Sequence, residues 1–103
     1  MSAIPAEVAL ALAALEQHWA PRTIARAADH DVRVAKLLGE LDVFTRDTVD
    51  ELYLVVYGTL RIRFADAPEV TVRAGESYLV PRGTVCHPVA DHEVGVVLVG
   101  SAA

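Results

Sequence analysis

Several things are scarce in this chain, and each scarcity narrows the reading. There is one cysteine among 103 residues, so no disulfide can close within the chain, and a reducing, cytoplasmic setting is the expectation. Positive charge is short as well. Nine Lys and Arg stand against fourteen Asp and Glu, a net charge of −5, whereas nucleic-acid-binding domains usually present a basic face. No nucleic-acid partner is expected. Long apolar runs are missing. Val8 to Leu15 is apolar but far too short to cross a bilayer, and no basic flank precedes it, so neither a membrane span nor a signal peptide is expected. There is no phosphate-binding glycine loop, no nucleophile elbow and no paired cysteine motif. Internal repeats and low-complexity tracts are absent too.

What the chain does have is apolar bulk. Hydrophobic residues make up 53% of it, well above a disordered composition. The length allows one domain and one core. For so short a chain, that richness also points to apolar surface buried in an oligomer, and the Leu52-Leu54-Val56 face, which needs cover, makes a homodimer the expectation.

The central stretch runs from Asp50 to Phe64. Leu52 to Tyr57 is β-branched and aromatic and too short for a typical helix, which marks a strand. Leu60 to Phe64 alternates apolar with charged, the mark of a strand with one covered face. Gly58 between them permits a tight reversal, so a β-hairpin is expected, with Glu51 at its entrance. The first strand is apolar on both sides and must be covered on both.

Upstream, Ser2 to Trp19 reads as a helix. Val8, Leu12, Leu15 and Trp19 form its apolar stripe, and Pro21 ends it. Arg22 to Ala28 and Asp31 to Leu38 follow as strands around a polar turn, Asp29-His30-Asp31. In the second of these, Val32 and Val34 share a face, and Gly39 closes it. Glu40 to Phe44 reads as a further short strand. Downstream, Glu69 to Arg73, Ser77 to Val80, Thr84 to Val89 and Val94 to Val99 are short strands, the last two separated by a turn at Asp91-His92. Many short strands between Gly, Pro and Asp turns, with no helices between them, indicate an all-β sandwich or barrel.

Two spacings add a family. Glu51 is followed after six residues by Gly58. Gly75 is followed after five by Pro81, then after one by Gly83. In these the chain resembles the small single-domain cupins, over roughly Arg22 to Val99. The resemblance implies a cupin-type double-stranded β-helix, a jelly-roll barrel of residues 21–100, with an N-terminal α-helix (residues 1–20) packed on the barrel or on a dimer partner.

In that family two early histidines, the glutamate and a late histidine bind a divalent metal. Here the early slots fall on Phe44 and Arg46, or on Thr45 and Asp47 with the shorter spacer. The late slot falls on Cys86, with His87 one place beyond. Only Glu51 keeps its slot. Arg46 would place a positive charge where a cation should sit, so the inherited metal site is expected to be degenerate and no cofactor is expected. A rescued site of Glu51, Asp47 and either Cys86 or His87 is the alternative, holding a divalent transition metal.

Each candidate has a plainer reading beside it. Glu51 is a pocket anchor or a solvated carboxylate paired with Arg46 or Arg61. Cys86 is a pocket thiol or a small buried hydrophobe. His87, on the opposite face by alternation, suits a rim or an interface. Tyr53 shares the Glu51 face and is the tyrosine best placed to line a cavity. Arg61 and Arg63 form either a solvated outer face or an anion site in the lumen. The expected pocket is therefore apolar and ringed by Glu51, Tyr53 and Cys86, with Phe44, Arg46 and His87 near it. It suits a small-molecule-binding, non-catalytic barrel. The alternatives are a metal-dependent isomerase or dioxygenase-like enzyme and a structural module.

Overall fold

The structure, a computed structural model, describes residues 7–40, 45–46 and 49–101. A short helix, α1 (Val8–Ala13), precedes eight strands: β1 (Arg22–Ala27), β2 (His30–Glu40), β3 (Thr45–Arg46), β4 (Glu51–Tyr57), β5 (Thr59–Phe64), β6 (Val70–Arg73), β7 (Ser77–Val80) and β8 (Val85–Ser101). Every pairing is antiparallel. One wall runs β1-β2-β8-β4-β7. The other is built on the first half of β8, which pairs with β5 and β3, and β6 pairs with β5. The walls share one long strand, and this is a double-stranded β-helix barrel. No helix among the described residues is long and apolar enough to cross a membrane.

Alternation explains the two layers. Along β4, Tyr53 and Val55 pack with the barrel core, and Val96 and Leu98 of β8 face them across the same wall. Leu60, Ile62 and Val72 close the core from the other wall. On the outer face, Val34 and Val97 pair across β2 and β8, and α1 with the turn after it lies on them through Leu12 and Leu15. Six helical residues are too few to hold a helix in water unaided. Burial of Leu12 within α1 and of Leu15 just past its end, at 2% and 6% exposure, is what fixes the helix.

Four local expectations are corrected. The helix does not reach Trp19: it ends at Ala13, and Trp19 has left the stripe to pack against the barrel core. Gly39 does not close its strand: it pairs with Ala90 just past the point at Leu38 where the register with β8 shifts, and β2 continues to Glu40. His30 is already in β2, so the turn narrows to Ala28 and Asp29. Asp91-His92 is not a turn between two strands; β8 runs through it unbroken. Asp91, His92 and Glu93 instead bulge opposite Leu38, exposed, where β8 passes from one wall to the other.

The fifth correction concerns the centre. β4 and β5 do not form a hairpin. β4 pairs with β7 and β8, β5 with β6 and β8. Each uses a different half of β8: residues 95–100 for β4 and 86–89 for β5. Gly58 is thus a corner between walls. Its φ is +82°, and a Cβ there would lie 2.7 Å from the Glu93 carbonyl oxygen.

Gly58→Ala therefore combines left-handed strain with a backbone collision, and a loss of about 2–4 kcal/mol is expected in urea unfolding. Gly75→Ala meets open space and should cost only the strain, about 1–2 kcal/mol. Equal losses for the two would show that the corner is not closely packed.

Candidate functional site

Between the walls lies a cavity of about 190 Å³. β2 contributes Arg33, Ala35 and Leu37, β4 contributes Glu51 and Tyr53, and β8 contributes Pro88 and Leu98. Trp19 and Pro21, from the segment before β1, complete it. The register explains the grouping. Arg33 and Tyr53 both pair with Leu98, on either side of it, so all three project into the barrel together.

Arg33 forms an ion pair with Glu51, through Nη2 and Oε1. The side chains retain 29% and 12% of their exposure, so the pair is mostly withdrawn from water and each charge needs the other. Glu51 has room because its partner across β8 is Gly100, where any Cβ would collide with the Glu51 carboxylate. The polar end of the cavity is thus one fixed cation–carboxylate pair, and the remaining walls are mainly apolar and aromatic.

Glu51 and Tyr53 line this cavity together. Cys86 does not: it is buried at 1% exposure in the core, paired on either side with Phe64 and Thr45. His87 points to the other face, as strand alternation requires. It is buried there, its Nε2 3.4 Å from Glu40 Oε2. Phe44 lies outside the described residues. Arg46 is placed only by its backbone, opposite Val85, and its side chain lies outside them too. Arg33 was not anticipated. In the sequence Val32 and Val34 share a face that alternation alone does not assign to either side; they lie beneath α1, and the intervening Arg33 and Ala35 face inward. The signal was available in β2 itself, since an amphipathic helix upstream needs an apolar outer face to lie on. Arg61 belongs to the outer surface, paired with Asp91 at 2.9 Å and Glu69 at 3.0 Å, and holds no lumenal anion site.

A divalent metal would need three or four converging donors. Among the described residues no three His, Cys, Asp or Glu side chains converge in this way. Cys86 and His87 diverge to opposite faces, and Glu51 already faces a cation in Arg33. Asp47 lies outside the described residues, and the described members of the candidate set, Glu51, Cys86 and His87, do not by themselves fit a metal.

A second polar cluster sits at the outer corner. The Tyr57 hydroxyl donates to Glu93 Oε1 at 2.6 Å, and His18 Nε2 lies 2.9 Å from Glu93 Oε2. Tyr57, then His18, hold the Glu93 carboxyl below its usual range, with Lys36 adding to the effect. Burial and the bond to Glu93 push the Tyr57 phenol up to about 12.

No protein-family profile matches the chain. It is 38% identical over 85 residues to the uncharacterized protein YdbB of Bacillus subtilis, covering 82% of this chain and 74% of that one. It is 34% identical to a cupin-2 domain containing protein of Shewanella frigidimarina of known structure, over 86% of each chain, with a TM-score of 0.81. A hydroquinone 1,2-dioxygenase from Sphingomonas, with 4-hydroxybenzoate bound, superposes with a TM-score of 0.78 over 92% of this chain and 72% of that one. At 13% identity that likeness is one of fold alone.

The ion pair has a measurable signature. Arg33→Met or Glu51→Leu alone leaves a mostly buried charge without its partner and should cost about 2–3 kcal/mol, less than a fully buried pair because of residual screening. The double variant should cost less than the sum of the two, by at least about 1 kcal/mol. Additive losses in urea unfolding would show that the two side chains do not interact.

Proposed function

The chain belongs to the cupin family, and from that premise we propose that its barrel is a binding module for a small, largely apolar molecule carrying one polar group, with the family's metal site lost. The observation that carries this reading is the Arg33–Glu51 pair at the polar end of an otherwise mainly apolar cavity. Few convergent polar groups in an apolar concavity are the usual form of a small-molecule site. The volume limits the guest. An apolar cavity of about 150 Å³ accepts a benzene ring, so about 190 Å³ accommodates one six-membered ring with a small substituent. A carboxylate or hydroxyl on that ring would meet the Arg33 guanidinium, and a hydroxyl would donate to Glu51.

The loss of metal chemistry is supported by the donor set: a carboxylate already countered by a guanidinium, and a thiol and an imidazole turned away from each other. A metal-dependent enzyme would require donors that the described residues do not bring together.

The expected partner is a second copy of the chain. α1 covers the outer face over β2 and β8 but not over β4 and β7, where Leu54, Val56 and Leu79 stay exposed at 36%, 38% and 51%. Leu52, opposite Leu79, extends the same apolar surface. Contiguous apolar surface of this kind marks an interface, and one patch meeting its own copy gives a closed two-fold dimer.

A thermal-shift screen of small ring carboxylic acids and phenols should return ligands that stabilise the wild type. Arg33→Met should weaken them about tenfold or more, the worth of a charge-assisted hydrogen bond. Indifference to the whole set would remove the reading, and stoichiometric Zn, Fe, Mn or Ni in the purified protein would restore the enzyme alternative.

For the dimer, Leu79→Lys should turn a dimeric sedimentation profile into a monomeric one with the melting behaviour of the barrel retained. A wild type that sediments as a monomer removes the proposal.

A further inference from the structure

Of the nine residues around the barrel cavity, seven sit on β2, β4 and β8, and only Trp19 and Pro21 come from outside the sheets. They belong to the segment that joins α1 to β1, which is neither helix nor strand. Seven of the nine are therefore fixed in hydrogen-bonded ladders, and two are not.

Trp19 has a φ of +62°, a region that bulky residues enter rarely and that clusters at ligand clamps. Two bonds hold it there. Its backbone N–H donates to the Lys36 carbonyl, and its indole Nε1–H donates to the Leu38 carbonyl, both at 2.9 Å. The second acceptor is available because Leu38 lies in the β2 register shift, with no paired residue on β8. The indole packs on the barrel core. Its neighbour His18 reaches the other way, to Glu93, which also accepts from Tyr57.

We infer that residues 18–21 form a movable strap that gates the barrel cavity, with Trp19 as its plug and the His18–Glu93–Tyr57 contact as its latch. The gate rests on the small-molecule reading of the cavity. Opening exchanges few interactions: two hydrogen bonds to the β2 edge, the indole packing and an exposed latch. Segments held so lightly open far more often than the ladders around them. Opening also releases the left-handed strain at Trp19. Glu93 and Tyr57 do not line the cavity, so changes there reach a bound ligand only through the strap.

The chain has one tryptophan, so its fluorescence reports the strap alone. Glu93→Gln and Tyr57→Phe should each raise acrylamide quenching of Trp19 about threefold, the scale of an exposed polar pair. They should speed benzoate association and dissociation together by a similar factor, leaving the equilibrium constant nearly unchanged. Should either variant fail to fold, His18→Ala loosens the latch from its solvent side and should give the same result. Quenching equal to wild type in folded variants overturns the strap, even if benzoate binds. Raised quenching without any benzoate response supports the strap and counts against the binding reading instead.

Discussion

One strand must serve two walls, and the rest of the molecule follows from that constraint. β8 is 17 residues long and pairs with β2, β3, β4 and β5. It can do so only by bending, and a strand bends at a bulge. Three residues, Asp91, His92 and Glu93, stand opposite the single Leu38. They are exposed and polar, while Ala90 before them and Val94 after them are completely buried. The same bulge frees the Leu38 carbonyl for Trp19 and brings Glu93 to Gly58, Tyr57 and His18. Corner, latch and plug are thus consequences of one irregularity in one ladder.

Because β8 fixes the register of both its neighbours, it also decides what enters the barrel. Leu98 pairs with Arg33 on one side and Tyr53 on the other, and Gly100 leaves space for the Glu51 carboxylate. A guanidinium beside a carboxylate inside a barrel leaves each charge countered by the other. Glu51, in the glutamate position of the family motif, faces Arg33, so the polar end of the pocket presents a guanidinium and a carboxylate, both groups that bind by hydrogen bonding.

Most strands, the turns at Gly75 and Gly83 and the family were legible in the sequence because alternation, β-branched runs and the glycine and proline frame act locally. Partner choice was not. Leu52 to Tyr57 is apolar on both faces, so nothing in it says which neighbour it takes, and proximity to Thr59–Phe64 suggested a hairpin that the shared strand forbids. Facing was not legible for a related reason. Val32 and Val34 share a face by alternation, but nothing in β2 says whether that face meets the core or the apolar cover of α1, which is where it lies. Arg33, the counter-ion of Glu51, therefore went unnoticed. Cys86 was legible as a small buried residue and His87 as its opposite-facing neighbour, since strand parity fixes both. The exit of Trp19 from the helix was invisible, because its position depends on the Leu38 carbonyl, which only the bulge exposes.

The placement of β8 has a further consequence for synthesis. It follows the other seven strands in the chain, so while the ribosome is still making it, the segments of β2, β4 and β5 have left synthesis without the strand they all pair with. The pairing of β2 with β8 joins residues some 50 to 70 positions apart, contacts that form slowly and late. Through that interval the nascent chain offers unpaired strand edges and bare valine and leucine to anything nearby. This protein should lean on chaperones during translation far more than its small finished size suggests.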